Sequence, residues 1–111
     1  MRIAVTYENG QIFQHFGHTE TFKIYDVEEG KVLHSEVVDT NGSGHGALAG
    51  VLNALNADVL ICGGIGGGAQ TALAAAGIKL FGGVSGDADK AVEAFINDAL
   101  DYTPDVKCSH H

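Results

Sequence analysis

Apolar and polar positions alternate in three short runs over the first forty residues. The runs Arg2–Tyr7, Thr21–Val27 and Lys31–Thr40 carry the β-branched and aromatic residues that are typical of strands. A short turn that ends at Gly30 joins the second run to the third, which favours a β-hairpin. The pattern therefore predicts three antiparallel strands at the start of the chain.

Beyond residue 41 the apolar positions take a helical period and then alternate with short apolar runs. A Gly-rich stretch opens a segment with Leu48, Val51, Leu52 and Leu55 at helical spacing. The predicted elements that follow are a strand at Asp58–Gly64, a helix at Gly67–Ile78, a strand at Ile78–Gly83 and a helix at Gly86–Leu100. Strands that alternate with helices are expected to be parallel, with right-handed crossovers.

These elements predict an α/β fold with the order β-β-β-α-β-α-β-α and a mixed five-stranded sheet with flanking helices. The 111 residues are enough for a single hydrophobic core. We expect one domain over residues 1–103. Residues 104–111 have no apolar period and are predicted to form a mobile C-terminal tail.

The net charge of the chain argues against nucleic acid and anionic membranes as binding partners. The formal net charge is -8, with only six Lys and Arg residues, whereas proteins that bind nucleic acid or anionic membranes carry a basic face. No apolar run approaches the roughly 20 residues of a membrane-spanning helix, and the first residues lack the pattern of a signal peptide. We expect a cytoplasmic protein that binds neither nucleic acid nor a membrane.

A glycine-rich turn between a strand and a helix is the first candidate site. Its residues Gly64-Ile65-Gly66-Gly67-Gly68-Ala69 match G-x-G-x-x-A, a spacing that lets backbone N–H groups approach an anion at a helix N-terminus. Dinucleotide-binding folds carry this motif after their first strand, whereas here three strands precede it. The alternative is that the glycines only permit a tight turn and close helix–sheet packing.

Two histidines on the loop after the first strand are the second candidate site. His15 and His18 are three residues apart, so both imidazoles could face one ligand. Phe16 is expected to anchor the loop in the core, and Gly17 allows a tight bend. Two side chains do not complete a zinc site, which takes four ligands, so the alternative is a pair of solvated loop residues.

Other Cys and His residues leave alternatives open. His45 is expected in or near the first turn of a helix, either as a metal ligand or as a solvent-facing residue. Cys62 is either an apolar filler of the core or a thiol at a cleft. The last residues, which include Cys108, His110 and His111, form a local cluster of metal-ligand types without zinc-finger spacing.

The chain resembles the dinitrogenase iron–molybdenum cofactor biosynthesis family over about Met1 to Leu100. The resemblance is carried by "RIAVTYENGQIFQHFGHTETFKIYDVEEGKV" and "ADVLICGGIGGGAQTALAAAGIKLF". It implies a ribonuclease H-like fold, and a function in binding or carrying nitrogenase cofactor or its iron–sulfur precursors. It also implies that His15, in the His-Phe-Gly loop, is a cluster ligand near Gly63, Gly64 and Gly66.

We therefore expect a non-enzymatic binding or carrier protein for an iron–sulfur or iron–molybdenum-type cluster, with metallocofactor assembly proteins as partners. The predicted cofactor-binding residues are His15, Phe16, Gly17, His18, His45, Gly63, Gly64 and Gly66. The predicted metal ligands are His15, His18, His45, Cys108 and His110. The alternatives are an enzyme or sensor that binds a nucleotide or phosphometabolite at Gly63–Gly68, and a small protein-interaction module. The cluster hypothesis requires the His15 loop and the turn after Cys62 to meet at one pocket.

Overall fold

The computed structural model of the chain describes residues 1–40 and 45–103. The strands are β1 (Arg2–Glu8), β2 (Gln11–Ile12), β3 (Thr21–Glu28), β4 (Lys31–Asp39), β5 (Val59–Ile61) and β6 (Lys79–Phe81). The helices are α1 (His45–Ala54), α2 (Gly67–Ala75) and α3 (Ala88–Ile96), with a single 3₁₀ turn at Phe16–His18. The residues predicted to form a mobile tail, 104–111, lie outside the described residues, so the predicted domain limits stay a prediction.

The strands form one mixed sheet with the order β4-β3-β1-β5-β6, and β2 pairs with β1. β1 is antiparallel to β3, and β3 to β4, whereas β1, β5 and β6 are parallel. The predicted α/β class, with its antiparallel and parallel parts, is confirmed. The predicted number of five strands is wrong by one, because β2 has two residues and no period of its own. It becomes a strand only by pairing with Tyr7 and Glu8.

Alternation along the central strands divides the core between the two faces of the sheet. Ala4 of β1 packs with the buried side chains of α1 and α2, while Ile3 and Val5 pack with those of α3. Residues of β5 belong to both clusters, so this strand is buried on both faces, as its continuous apolar run predicts. The helices therefore flank the sheet, α1 and α2 on one side and α3 on the other.

The predicted helices are found with small differences at their ends. α1 begins at His45, and Leu48 and Leu52 are buried in its apolar stripe. α3 ends at Ile96 rather than Leu100, with Asp98 at a positive φ of 57° just after it. No helix within residues 1–40 and 45–103 has the length and apolarity to cross a bilayer.

Three loops leave the sheet at the carboxyl ends of the parallel strands, and backbone hydrogen bonds join them. The loop at residues 9–20 follows β1, the turn at 62–66 follows β5, and the loop at 82–87 follows β6. Gly64 N–H donates to the carbonyl of Gln14 (2.7 Å), and Ile12 N–H donates to that of Gly86 (2.9 Å). Ligands of open α/β sheets bind at this edge, which makes these loops the place to look for a site.

Candidate functional site

The loop after β1 is paired directly with the glycine-rich turn after β5. His15 and Gly64 form a parallel bridge, in which Phe16 N–H donates to the Gly64 carbonyl over 3.0 Å. Gly64 N–H in turn donates to Gln14. The structure thus brings together the two segments that the cluster hypothesis requires, although the ligand roles of their residues stay predictions.

A single turn of 3₁₀ helix presents the two histidines. Phe16 is fully buried against Phe22, with 6.2 Å between ring centroids, and so anchors the turn in the core. His18 N–H donates to the His15 carbonyl over 3.0 Å, which closes the turn around Gly17. His15 is half-buried and His18 is exposed, with 6.4 Å between the two ring centroids.

Gly63 is explained by close packing of the two loops. A Cβ atom at this position would lie 2.6 Å from the Cα of Gln14, a distance that side chains do not tolerate. The N–H of Gly64 is already used in a hydrogen bond within the protein. For Gly63 the structure therefore supplies the packing role that the sequence left as an alternative.

The glycines that follow have open surroundings. A Cβ atom at Gly66, Gly67 or Gly68 would meet no atom within 4 Å. Gly66 is the N-cap of α2 and has no side chain with which to cap the helix. Because the first N–H groups of a helix have no acceptor within the helix, the surface that can receive an anion lies at Gly66–Gly68 rather than at Gly63–Gly64.

The two histidines line neighbouring cavities. His18 lines a cavity of about 400 Å³ together with Tyr7, Glu8, Asn9, Phe13, Glu20, Thr21 and Val37. His15 lines a smaller one of about 220 Å³ with Glu8, Gln11, Ile12, Phe13 and Gln14. No glycine of the turn is among the residues that line these two cavities, and the two segments meet by hydrogen bonds. The carboxylates of Glu8 and Glu20 make the His18 cavity favour cations.

Gln14 holds the three loops together, and the sequence analysis did not identify it. Its Nε2 donates to the carbonyls of Ile12 and Val84, each over 3.1 Å, while its own carbonyl accepts from Gly64. It therefore fixes the position of its neighbour His15. A polar residue between Phe13 and His15 gives no signal of this role in the sequence, because its partners are distant in the chain.

The remaining predicted residues do not join this site within the described part of the chain. Cys62 is fully buried in the core cluster of α1 and α2, with Sγ 3.6 Å from the Gly63 carbonyl, which supports the apolar-filler interpretation. His45 is the first residue of α1, and its imidazole lies outside the described residues, as do Cys108 and His110. Among residues 1–40 and 45–103, no group of three or more His, Cys, Asp or Glu side chains could hold a metal ion.

A family profile and several known proteins are similar to this chain. The profile of the dinitrogenase iron-molybdenum cofactor family matches residues 1–98. The crystal structure of PH0822 is 30% identical, with a TM-score of 0.88 over 95% of this chain and 96% of that one. The apo form of the orange protein from Desulfovibrio gigas is also 30% identical, with a TM-score of 0.83 over 96% of both chains. The uncharacterized protein MJ0580 of Methanocaldococcus jannaschii is 25% identical over 107 residues, 91% of this chain and 90% of its own.

Proposed function

The chain belongs to the dinitrogenase iron-molybdenum cofactor family, and on that premise we propose that it binds or carries an iron–sulfur or iron–molybdenum-type cluster. The observation that carries the proposal is the hydrogen-bonded pairing of the His15 segment with Gly64. It sets an imidazole beside the turn that leads into α2, at the sheet edge where ligands of this type of fold bind.

The donor groups at this edge suit a cluster that arrives preassembled. Imidazole is a suitable ligand for iron, and the half-buried His15 is held by the anchored Phe16 and by Gln14. Backbone N–H groups at the start of α2 can donate to the sulfides or the organic acid of an anionic cluster, which tunes and orients it. The described residues provide one or two metal ligands and not three, a number that suits a cargo that must be released.

His15 is a better candidate ligand than His18. His18 is exposed and lines a cavity with two carboxylates, Glu8 and Glu20, whereas the His15 cavity has Glu8 alone, so an anionic cluster is repelled less at His15. His15 lies directly beside Gly64. Gly64 is three residues before Gly67, the first residue of α2. We assign His15 as the coordinating residue and His18 as a secondary one.

A carrier of this kind is an accessory protein rather than an enzyme. It would receive the cluster from one metallocofactor assembly protein and pass it to another. His45, Cys108 and His110 stay predicted additional ligands, because the His45 imidazole and the two tail residues lie outside the described part of the chain.

Anaerobic titration with an isolated iron–sulfur or iron–molybdenum cluster tests the proposal, with optical and electron paramagnetic resonance spectra as the readout. We expect His15→Ala to weaken binding at least about tenfold, the usual effect of losing a metal ligand or its support. His34→Ala removes an imidazole from β4, away from these loops, and is the matched control. Equal binding by His15→Ala and the parent would reject the ligand assignment, and no spectral change with the parent would reject the function.

The nucleotide alternative has less support than the cluster, because the family profile is that of the dinitrogenase iron-molybdenum cofactor family. Within its predicted loop, Gly63–Gly68, the Gly64 N–H donates to Gln14, which leaves the N–H groups at the start of α2 for a phosphate. A nucleotide that raised the melting temperature of the parent would restore this alternative, since a ligand that binds only the native state stabilises it.

A further inference from the structure

β4 is the outermost strand on one side of the sheet and is exposed along almost its whole length. It ends the strand order next to β3, and only Val38 among its nine residues is even partly buried. Val32, Leu33 and Val37 are 44%, 64% and 49% exposed, and they are three of the five large apolar side chains exposed in the described chain. A long apolar edge strand leaves backbone N–H and C=O groups ready to pair with another strand.

The centre of β4 is complementary to itself when it is read in the opposite direction. The segment Leu33-His34-Ser35-Glu36-Val37 places an apolar residue at each end, a basic and an acidic residue inside them, and Ser35 at the middle. In an antiparallel pair of two such strands centred on Ser35, His34 lies opposite Glu36 of the second copy, and Leu33 opposite Val37 of the second copy. Opposite charges and apolar pairs directly across two strands both stabilise a sheet.

Other registers lack this complementarity. In a continuous sheet the opposed residues of the two strands must point to the same face. One strand can therefore shift along the other only by two residues at a time, which moves the two-fold axis from Ser35 to a neighbouring residue. A pair centred on Glu36 sets two carboxylates opposite each other, and one centred on His34 sets two imidazoles opposite each other. Like charges directly opposite are destabilising, so the register centred on Ser35 is favoured.

This register also extends a charge pattern that the fold already contains. Across the sheet, Arg2 lies opposite Asp26, and Asp26 lies opposite His34. The first of these pairs is an ion pair with 2.7 Å between Arg2 Nε and Asp26 Oδ1. Glu36 of the second copy would be the next residue in the row, which would then alternate basic, acidic, basic, acidic.

A β-bulge limits the pairing at one end of the strand. The register between β3 and β4 shifts between Asp26 and Val27, opposite the segment Val32–His34. Leu33 is the extra residue of this bulge, with no opposed residue in β3. Bulges turn an edge strand away from neighbours, so regular pairing is expected from His34 to Glu36, with Leu33 and Val37 as flanking apolar contacts. The interface is short, which predicts a reversible dimer rather than an obligate one.

We propose that β4 is a dimerisation edge, at which two copies of this chain pair their β4 strands antiparallel around a two-fold axis at Ser35. The two sheets then form one continuous sheet. The proposal does not rest on the cluster function, because it is argued from β4 and its partner β3; the two surfaces meet at Val37, which also lines the His18 cavity.

Sedimentation velocity of the full chain, at concentrations up to about 1 mM because short interfaces bind weakly, tests the proposal. We expect a concentration-dependent dimer in the parent and a monomer in Glu36→Lys, which would set two basic side chains opposite each other. The triple variant Asp26→Asn, His34→Glu and Glu36→Lys reverses both charges of the intersubunit pair without setting the new carboxylate opposite that of Asp26, and is expected to restore the dimer. Asp101→Lys makes the same change of charge at an exposed residue outside β4 and is expected to leave the dimer intact.

Cross-linking tests the register separately. In a Cys108→Ser background, Ser35→Cys is expected to form an intermolecular disulfide, because opposed residues of an antiparallel pair have Cα atoms about 4.5–5.5 Å apart. Asp39→Cys lies in the same strand but four residues from the axis, so little intermolecular disulfide is expected from this variant. Circular dichroism confirms that each variant is folded. A parent that stays monomeric at the highest concentration, or a dimer that survives Glu36→Lys, would overturn the proposal, and efficient cross-linking through Asp39→Cys would overturn the register.

Discussion

At the scale of single residues, the site depends on the contact between Gln14 and the glycine turn. The backbone of Gln14 approaches Gly63 so closely that no side chain fits, and its carbonyl accepts the N–H of Gly64. His15 is the next residue in the chain, so the contacts of the Gln14 backbone also fix the position of His15. The structural role of Gly63 is thus to let the imidazole-bearing loop lie against the turn.

We predict that Gly63→Ala lowers the free energy of unfolding by about 1–3 kcal/mol, because the added methyl group overpacks the contact with Gln14. Gly68→Ala is the matched control, since its Cβ enters open space in α2. Alanine at that helical position is expected to stabilise by up to about 1 kcal/mol. Urea unfolding monitored by circular dichroism measures both values, and equal effects of the two substitutions would contradict the packing explanation.

At the scale of elements, α3 is capped at its N-terminus by a side chain, whereas the N-cap of α2 is a glycine. Asp87 is its N-cap, and Asp87 Oδ1 accepts the N–H of Lys90 over 2.9 Å. Asp89, in the first turn, accepts from Lys23 Nζ (2.8 Å) and from Tyr25 OH (2.6 Å) of β3. These bonds fix where the helix begins and attach it to the sheet.

We predict that Asp87→Ala lowers the free energy of unfolding by about 1 kcal/mol, the usual effect of removing an N-cap acceptor. Asp87→Asn retains an acceptor oxygen and is expected to lose much less. Chemical denaturation of the two variants beside the parent gives the comparison. A loss of similar size in both would mean that the charge, and not the cap hydrogen bond, is what stabilises the helix.

At the scale of the whole molecule, two ion pairs among residues 1–40 and 45–103 join segments that are distant in the sequence. The hydrogen bond from Arg2 lowers the pKa of Asp26, and the hydrogen bonds from Lys23 and Tyr25 lower the pKa of Asp89. Carboxyl groups with lowered pKa values in the folded state stabilise it above their unfolded pKa of about 3.9, and this contribution is lost as the pH falls through the folded values.

We predict that stability falls when the pH is lowered from 5 to 3 and that the double variant Asp26→Asn with Asp89→Asn has a flatter dependence. Because both carboxylates are at least about a third exposed, solvent screens the pairs and the difference is modest. Urea midpoints measured across this range test the prediction. An equally steep fall in the double variant would assign the acid sensitivity to other carboxyl groups.

Much of the architecture followed from periodicity. The alternation in Thr21–Val27, the apolar run before Cys62 and the helical stripe through Leu48 and Leu52 each predicted an element that the structure confirms. β2 was missed because its two residues are too few to show an alternation of apolar and polar positions. Gln14 was missed because its partners, Gly64 and Val84, are far away along the chain.

The sequence by itself determined the elements, because the period of side-chain burial is a local property that each segment carries in its own residues. It also placed the candidate ligands on the loop after β1 and on the turn after β5. Only the tertiary structure decided that these loops are hydrogen-bonded to each other, that Gly63 serves packing and that β4 is left as an exposed edge. The reason is physical. These features depend on which segments, distant in the chain, come within hydrogen-bonding distance of each other, and the local pattern of apolar and polar residues does not determine that distance.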